Sequence, residues 1–298
     1  MSTIVLPREV APARRMPLAL RVLTRRKVVL VGAVLIVLTA AVGLLAPVIA
    51  VDPGRMEVAD RLKAPGPAHW FGTDDLGRDV FARVVYGARL SLLVGMAVVA
   101  LAVGAGLTAG LAAGYFRRLD NVIMRTMDGL MAFPAIILAI ALMASLGPSV
   151  TNVIVAIAVV YTPRVARVVR SSVLVVRETQ YVEAARALGV SDAAIIVRHV
   201  LPNCLSPVIV QGSFVFAAAV LTEAALSFLG VGVPPYVPSW GNILSEGRLY
   251  LQQAPWLVLY PGAAIMITIL GLNLVGDGVR DVLDPKIRGL QTEQPRTP

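Results

Sequence analysis

Long apolar runs separated by short charged segments make up most of the 298-residue chain. The first run, residues 28–50, contains 23 residues and no charge. As a helix it would be about 34 Å long at about 1.5 Å per residue, enough to cross a hydrocarbon core of about 30 Å. Five further runs lie at 92–116, 129–146, 150–169, 208–230 and 256–275. The pattern predicts an all-α integral membrane protein with six transmembrane helices.

Lysine and arginine are distributed unevenly over the segments between these runs. If both termini are cytoplasmic, 20 basic residues lie on the cytoplasmic side of the membrane and 7 lie on the external side. Cytoplasmic loops of membrane proteins carry such an excess, and an odd number of spans would remove it. The sequence therefore predicts six spans with both termini in the cytoplasm.

Composition supports a membrane protein and changes the meaning of the net charge. Apolar residues make up 57% of the chain and charged residues 15%, which excludes a soluble globular domain of this size. A formal net charge of +9 would suggest nucleic-acid binding in a soluble protein. Here the whole positive excess lies on the predicted cytoplasmic side. It is explained as an orientation signal, and no nucleic-acid partner is expected.

Several residues inside the predicted spans concern helix packing. Gly106, Gly110 and Gly114 share one face of the second span and would permit close helix contact, unless they only reflect the frequency of glycine in membrane helices. Pro134 lies within the third span, where it permits a kink. Glu223 is the one acid within the spans, and a charge there costs about 2.5–3.5 kcal/mol. Two interpretations of Glu223 stay open, a structural hydrogen bond to a neighbouring helix and a proton-coupling site.

The segment 178–207 between the fourth and fifth runs is longer than a simple helix connection requires. Residues 181–188 are good helix formers and precede Gly189, which suits the left-handed position after a helix. Ser191 can cap a second helix that runs until Pro202. We therefore expect two short helices joined by a glycine turn, forming a docking surface on the cytoplasmic face.

The residues of this loop resemble the EAA loop of ATP-binding-cassette (ABC) importer permeases. The matching positions are Glu183, Ala184, Ala185, Gly189, Leu201 and Pro202. His199 departs from the general pattern, which has isoleucine there, and is similar to the variant of peptide and nickel permeases. The resemblance implies a type I ABC importer permease fold, in which this loop contains the coupling helix that contacts the ATPase.

Two further blocks resemble the C-type permease subunit of dipeptide and oligopeptide importers. The block before the second span comprises Phe71, Gly72, Thr73, Asp74, Gly77, Arg78 and Asp79. From its charges, we expect either a rigid, locally neutralised turn at the outer surface or only a solvated loop with local ion pairs. The other block surrounds Glu223 and continues through Trp240 to Glu246. The outer loop that contains Trp240 is expected to cap the transport pathway or to contact the binding protein, unless Trp240 only anchors the chain at the membrane interface.

The predicted organisation has a basic cytoplasmic segment at 1–27, a six-span permease domain at 28–290 and a flexible cytoplasmic tail at 291–298. One cysteine and two well-separated histidines argue against a disulfide framework and a dedicated metal site. No lysine belongs to a glycine-rich phosphate loop, and no nucleophile stands at a recognisable spacing from a base. We expect no enzyme activity, no catalytic residue and no cofactor on this chain, with ATP and magnesium bound by partner ATPase subunits.

The resemblance implies a transport subunit that moves short peptides across a bacterial cytoplasmic membrane. The partners that it implies are a second permease subunit in a heterodimer, one or two ABC ATPase subunits, an extracytoplasmic peptide-binding protein and membrane lipid. Nickel import in the same role is an alternative. An ion-coupled secondary transporter that uses Glu223 is another, and it would need no ATPase partner.

Overall fold

The computed structural model describes residues 27–283, and every regular element in that range is helical. The helices are α1 (Lys27–Ile49), α2 (Val80–Tyr115), α3 (Arg117–Met131), α4 (Ala135–Leu146), α5 (Val150–Val176), α6 (Gln180–Ala187), α7 (Asp192–Phe228), α8 (Trp240–Gly247) and α9 (Trp256–Leu283). Short 3₁₀ turns lie at Val58–Asp60 and Arg248–Tyr250. The predicted basic segment up to residue 26 and the predicted tail lie outside the described residues.

Five helices are long and apolar enough to cross a membrane, namely α1, α2, α5, α7 and α9. A sixth span is obtained if α3 and α4, which meet at 92°, count as one bent crossing. The third span, expected over 129–146 with a kink permitted at Pro134, therefore consists of two helices and begins earlier, at Arg117. The helix breaks at Pro134, which lies at the N-cap of α4, because proline has no N–H to donate and disfavours helical backbone in the residue before it.

α2 begins 12 residues before the apolar run that predicted it, at Val80 instead of residue 92. The side chain of Asp79 caps it by accepting a 2.8 Å hydrogen bond from the backbone N–H of Ala82. Its first turns are buried against other parts of the protein and do not face lipid. They can therefore include a charged residue, the buried Arg83. With 36 residues, α2 is about 54 Å long and extends beyond the hydrocarbon core.

The course of the chain after Ser191 also differs from the expectation. Ser191 occupies the N-cap position, but its side chain makes no capping hydrogen bond. Pro202 does not end a helix, because α7 continues through it from Asp192 to Phe228. The turn Ile196–Val200 is π-helical, and this wider turn accommodates the proline, which has no N–H, without a break. The fifth span is thus a single helix of 37 residues that starts within the 178–207 loop.

The most extensive helix contact joins α2 to α5 along a stripe of three glycines. A Cβ atom placed on Gly106, Gly110 or Gly114 would lie within 2.6 Å of a side-chain or backbone atom of α5. The atoms that fill this space belong to Val165, Ala166, Val169 and Val173. The glycines therefore serve a close approach of two helices, which settles the choice left open by the sequence. Around this pair, α7 packs on α2 and α5, and α9 packs on α1 and α7.

Gly110→Ala is expected to destabilise the protein by about 1–3 kcal/mol, because the added methyl group would overlap the backbone and Val169 of α5. Gly104→Ala is the matched control on the same helix, since a Cβ there meets nothing within 4 Å. The control should be neutral or slightly stabilising, because alanine favours helix by about 1 kcal/mol. Thermal unfolding of the detergent-purified protein measures both, and equal melting temperatures would contradict the stripe's role.

Candidate functional site

The loop at 178–207, which we call the cytoplasmic loop after the side of the membrane predicted for it, presents the short helix α6 on the surface. The single buried side chain of α6 is Val182, which packs into the main apolar core. Glu183 and Ala184 are exposed, Ala185 is half-buried, and Leu188 just after the helix is 84% exposed. One side of α6 is thus anchored and the other is available to a second protein.

A Schellman motif ends α6 at the predicted glycine. Gly189 has a φ of +78°, which lies in the left-handed region. Its N–H donates to the carbonyl of Arg186 at 3.0 Å, and the N–H of Val190 donates to the carbonyl of Ala185 at 3.1 Å. A Cβ on Gly189 would meet nothing within 4 Å, so the backbone conformation and not the available space favours glycine here.

Side-chain contacts connect the loop to the cytoplasmic end of α2. The hydroxyl of Tyr115 donates a 2.5 Å hydrogen bond to Oδ1 of Asp192, at the start of α7. The guanidinium of Arg186 lies 5.7 Å from the centre of the Tyr115 ring, and that of Arg177 donates to the Gly114 carbonyl at 2.7 Å. Tyr115 could not be predicted as a partner, because no spacing rule relates it to a residue 77 positions away. These contacts join α6 and the start of α7 to the end of α2.

The remaining residues of the loop motif lie behind α6. The ring of His199 lies 6.1 Å from that of Tyr181, with a tilt of 54° between the two planes. Leu201 is half-buried and Pro202 is exposed. The loop motif is therefore divided between the exposed helix and the base of α7 that supports it.

A buried ionic cluster occupies the other end of α2. Asp74 is fully buried and accepts hydrogen bonds from Arg78 Nε at 2.7 Å and Arg83 Nη1 at 2.6 Å. The same two arginines bond to Glu246 of α8, with Arg78 Nη2 at 2.9 Å and Arg83 Nη2 at 3.0 Å. The predicted neutralised turn exists between Asp74 and Arg78, but the cluster also joins α2 and α8. Removing one member of such a cluster leaves a buried charge without its partner.

Asp79 does not join this cluster and instead contacts a histidine. The two ring nitrogens of His69 lie 2.8 Å from Oδ2 of Asp79 and 3.1 Å from Oδ2 of Asp60. The hydrogen bond to Asp79 and the smaller effect of Asp60 raise the pKa of His69 above its ordinary value. Hydrogen bonds from Lys63 and His69 lower the pKa of Asp60. No sequence pattern indicates this role for His69, because its partners lie 9 and 10 positions away in an irregular loop.

The other residues of this block hold the outer loop in place. The hydroxyl of Thr73 accepts from the N–H of Lys63 at 2.8 Å and donates to the carbonyl of Asp60. The ring of Phe71 stacks on that of Tyr260 in α9, with centroids 3.9 Å apart. Gly72 and Gly77 both have a φ of +74°.

Three carboxylates near the cluster stand close enough to consider a cation. Ligand oxygens of Asp74, Asp75 and Glu246 lie within 4.8 Å of one another. Arg78 and Arg83 already neutralise Asp74 and Glu246, so these two carboxylates are engaged in the fold. Burial and the neighbouring charge of Asp74 raise the pKa of Asp75. The arrangement favours an ionic joint over a metal site.

Glu223 is fully buried in α7 and is surrounded by hydroxyl groups. Ser227 donates to Oε1 at 2.9 Å, and Ser91 of α2 donates to Oε2 at 3.3 Å. Nearby, the hydroxyls of Tyr161 and Thr222 lie 2.9 Å apart and connect α5 to α7. Glu223 therefore makes the helix-to-helix hydrogen bond that was one of its two interpretations.

Trp240 is neither an interfacial anchor nor an exposed cap. It is 1% exposed at the start of α8, and its indole N–H donates to the carbonyl of Val84 at 2.9 Å. The ring lies against Gly87, where a Cβ would approach to 2.7 Å. The expected interfacial position is thus wrong, because the indole is packed between α2 and α8.

The family of the chain follows from a comparison with known proteins. A family model described as "Binding-protein-dependent transport system inner membrane component" matches residues 88–289. The match extends from α2 through the cytoplasmic loop and α9. The chain belongs to this family. The permease is thus the membrane component of a binding-protein-dependent system, which argues against an ion-coupled secondary transporter.

Relatives match nearly the whole length of the permease. A putative peptide transport system permease protein of Brucella suis is 51% identical, over 91% of this chain and 92% of its own. The dipeptide transport system permease protein DppC of Alkalihalophilus pseudofirmus is 46% identical, over 91% and 90%. A probable D,D-dipeptide transport system permease protein of Escherichia coli is 43% identical, over 88% of each chain.

A solved structure shares the fold. A chain of the MetNI methionine ABC transporter, in an inward-facing conformation, superposes with a TM-score of 0.57 at 18% identity. The alignment covers 68% of this chain and 96% of that chain. The permease therefore has the fold of a type I ABC importer permease.

Arg83→Gln is expected to lower the free energy of unfolding by about 3–5 kcal/mol, because Asp74 would keep a buried charge with one partner fewer. Arg89→Gln is the matched control, since Arg89 lies on the same helix and is exposed. Its effect should stay within about 0.5 kcal/mol. Chemical denaturation followed by tryptophan fluorescence measures both, and equal losses would contradict a structural role for the cluster.

His69 predicts a dependence of stability on pH. A group whose pKa is raised by folding contributes its full stability below its unfolded pKa, about 6.5, and loses it as the pH rises through the folded pKa. The stability of the wild type relative to His69→Gln should therefore fall as the pH increases above about 6.5. His199→Gln, which removes the only other histidine, should keep the wild-type slope. Thermal melts over a pH series test this, and parallel profiles for the wild type and His69→Gln would refute it.

Proposed function

We propose that this permease is one subunit of an ABC importer that moves short peptides across a bacterial cytoplasmic membrane. The observation that carries the proposal is the identity of 43–51%, over about nine-tenths of both chains, to three relatives named for peptide or dipeptide transport. These names favour peptides over the nickel alternative. We place both termini in the cytoplasm, because the basic residues are concentrated in the segments that would then be cytoplasmic.

The exposed face of α6 is the proposed contact with a partner ATPase. Glu183 offers a charge for a hydrogen-bonded ion pair, while Ala184 leaves room for close approach. ATP and magnesium would be bound by the ATPase subunits, so the permease supplies no group to hydrolysis. Its task is to convert a movement at α6 into a movement of the spans.

α7 provides a direct path from the cytoplasmic loop to the outer half of the protein. Its 37 residues form a continuous helix about 55 Å long. Near its start, Asp192 is bonded to Tyr115 of α2, and further along Glu223 is bonded to Ser91 of α2. A pull on the loop would thus move α7 and α2 as one unit.

The outer surface is the proposed contact with an extracytoplasmic peptide-binding protein. The ionic cluster of Asp74, Arg78, Arg83 and Glu246 makes the outer loop and α8 one rigid support. Beside this support, Tyr236 is strongly exposed. A second permease subunit would complete the pathway, as an importer of this class is built from two such subunits.

Glu183→Lys should reduce ATP-driven uptake of a labelled dipeptide by about tenfold or more. The carboxylate would pair with a basic residue of the ATPase, and the lysine that replaces it would be repelled by that residue. Glu178→Lys is the control, since it reverses an exposed charge in the same loop just before α6. Uptake into proteoliposomes and ATP hydrolysis are measured on the assembled importer. Unchanged uptake in Glu183→Lys would refute the coupling contact, while nickel uptake without peptide uptake would refute the cargo.

A further inference from the structure

A basic pocket opens at the cytoplasmic end of α2, where α3, the end of α5 and the 178–207 loop meet. Its volume is about 1110 Å³. Four arginines line it, namely Arg117, Arg118, Arg177 and Arg186. We call these residues and the space between them the basic pocket. Its lining also includes three carboxylates, those of Glu178, Glu183 and Asp192, so the arginines are only in slight excess and the pocket lies beside the proposed ATPase contact.

The arginines of the basic pocket differ in what they already bind. Arg177 donates to a backbone carbonyl and lies 3.6 Å from a carboxylate oxygen of Glu178. Arg186 contacts the ring and hydroxyl of Tyr115. Arg117 and Arg118 are exposed, and neither forms an ion pair with any residue between 27 and 283. Two guanidinium groups in the pocket are therefore available to an external anion.

The first turn of α3, which carries these two arginines, is fixed to α5. Asp120 accepts two hydrogen bonds from the guanidinium of Arg170, at 2.5 and 2.6 Å. This bidentate pair fixes the start of α3 relative to the end of α5. The backbone that carries the two free guanidinium groups is thus held in place by this pair.

Apolar side chains continue from the basic pocket along α3. Leu119 is 45% exposed, although it lines the pocket, and Val122 one turn later is 68% exposed. α3 is bent by 92° away from α4, the helix that follows it. A helix with arginines at one end and exposed apolar residues on one side is typical of the membrane interface.

We propose that the basic pocket binds the phosphate headgroup of an anionic phospholipid from the inner leaflet. Arg117 and Arg118 would bind the phosphate, since a guanidinium matches phosphate in charge and geometry. The acyl chains would lie against Leu119 and Val122. A soluble phosphate has the same charged group as the headgroup, but it has no apolar part that could contact Leu119 and Val122. We therefore assign the site to a lipid.

The binding of single lipids to the detergent-purified full-length chain tests this site. Phosphatidylglycerol is titrated into protein in zwitterionic micelles, and the bound fraction is measured by native mass spectrometry. Arg117→Gln with Arg118→Gln should weaken binding by about tenfold or more. Arg125→Gln is the control, because Arg125 is exposed on the same helix and does not line the pocket. Its affinity should stay within about twofold of the wild type.

Several outcomes would overturn the proposal. Wild-type lipid affinity in the double variant would exclude the pocket, and an equal loss in Arg125→Gln would show only nonspecific attraction. Competition by glycerol phosphate at the same concentration as the lipid would identify a soluble phosphate as the ligand. Weaker ATPase co-purification with unchanged lipid binding would assign the arginines to the ATPase. If the double variant fails to fold, the single variants Arg117→Gln and Arg118→Gln are measured instead; each should weaken lipid binding, and wild-type affinity in both would overturn the proposal.

This assay needs neither transport nor ATP hydrolysis, so its result is independent of the proposed function. Loss of the site would leave the peptide importer intact as a hypothesis, and loss of peptide transport would leave the lipid site intact.

Discussion

The close packing of α2 against α5 determines where both functional ends of the permease lie. In lipid, no hydrophobic effect drives two apolar helices together, so their association depends on the many dispersion contacts that a glycine stripe permits. Because α2 ends at Tyr115 and α5 ends at Val176, this packing brings the start of the cytoplasmic loop beside the end of α2. The hydrogen bond from Arg177 to the Gly114 carbonyl is a direct result.

The two ends of α2 are attached to their surroundings by different physical means. At the outer end, the attachment is a buried group of four charges that tolerates little rearrangement. At the cytoplasmic end, single hydrogen bonds and a cation–π contact connect Tyr115 to exposed residues of the loop. The outer end is therefore the more rigid of the two. A movement that starts at the cytoplasmic loop therefore meets less resistance at the cytoplasmic end of α2 than at its outer end.

The apolar pattern predicted the starts of the helices that are apolar from their first turn, and it failed where a helix begins with charged residues or is apolar on one side only. The starts of α1, α5 and α9 lie within one residue of the expected positions. The first turns of α2 are covered by α8 and contain a buried arginine, so hydropathy alone could not extend the helix to Val80. The amphipathic α3 was missed for a similar reason, because only one of its sides is apolar.

The site was predicted in part, according to how local each interaction is. The turn at Gly189 depends on backbone conformation and could be predicted from a few neighbouring residues. The pairing of Arg83 with Glu246 joins positions 163 apart, and no local pattern contains it. The π-helical turn before Pro202 depends on how the helix accommodates a proline, which has no backbone N–H to donate. The spacing of the motif therefore located its residues but did not predict that the helix continues through Pro202.

The short α4 restricts what can face this edge of the permease. Its 12 residues are about 18 Å long, less than the hydrocarbon core of about 30 Å. If α3 lies at the membrane interface, α4 alone does not reach the opposite surface of the bilayer. The pair of Asp128 and Arg167, 2.7 Å apart and more than half exposed, is stabilised by water or by a polar partner beside it. This edge of the permease is therefore suited to an aqueous space or to another subunit more than to lipid alone.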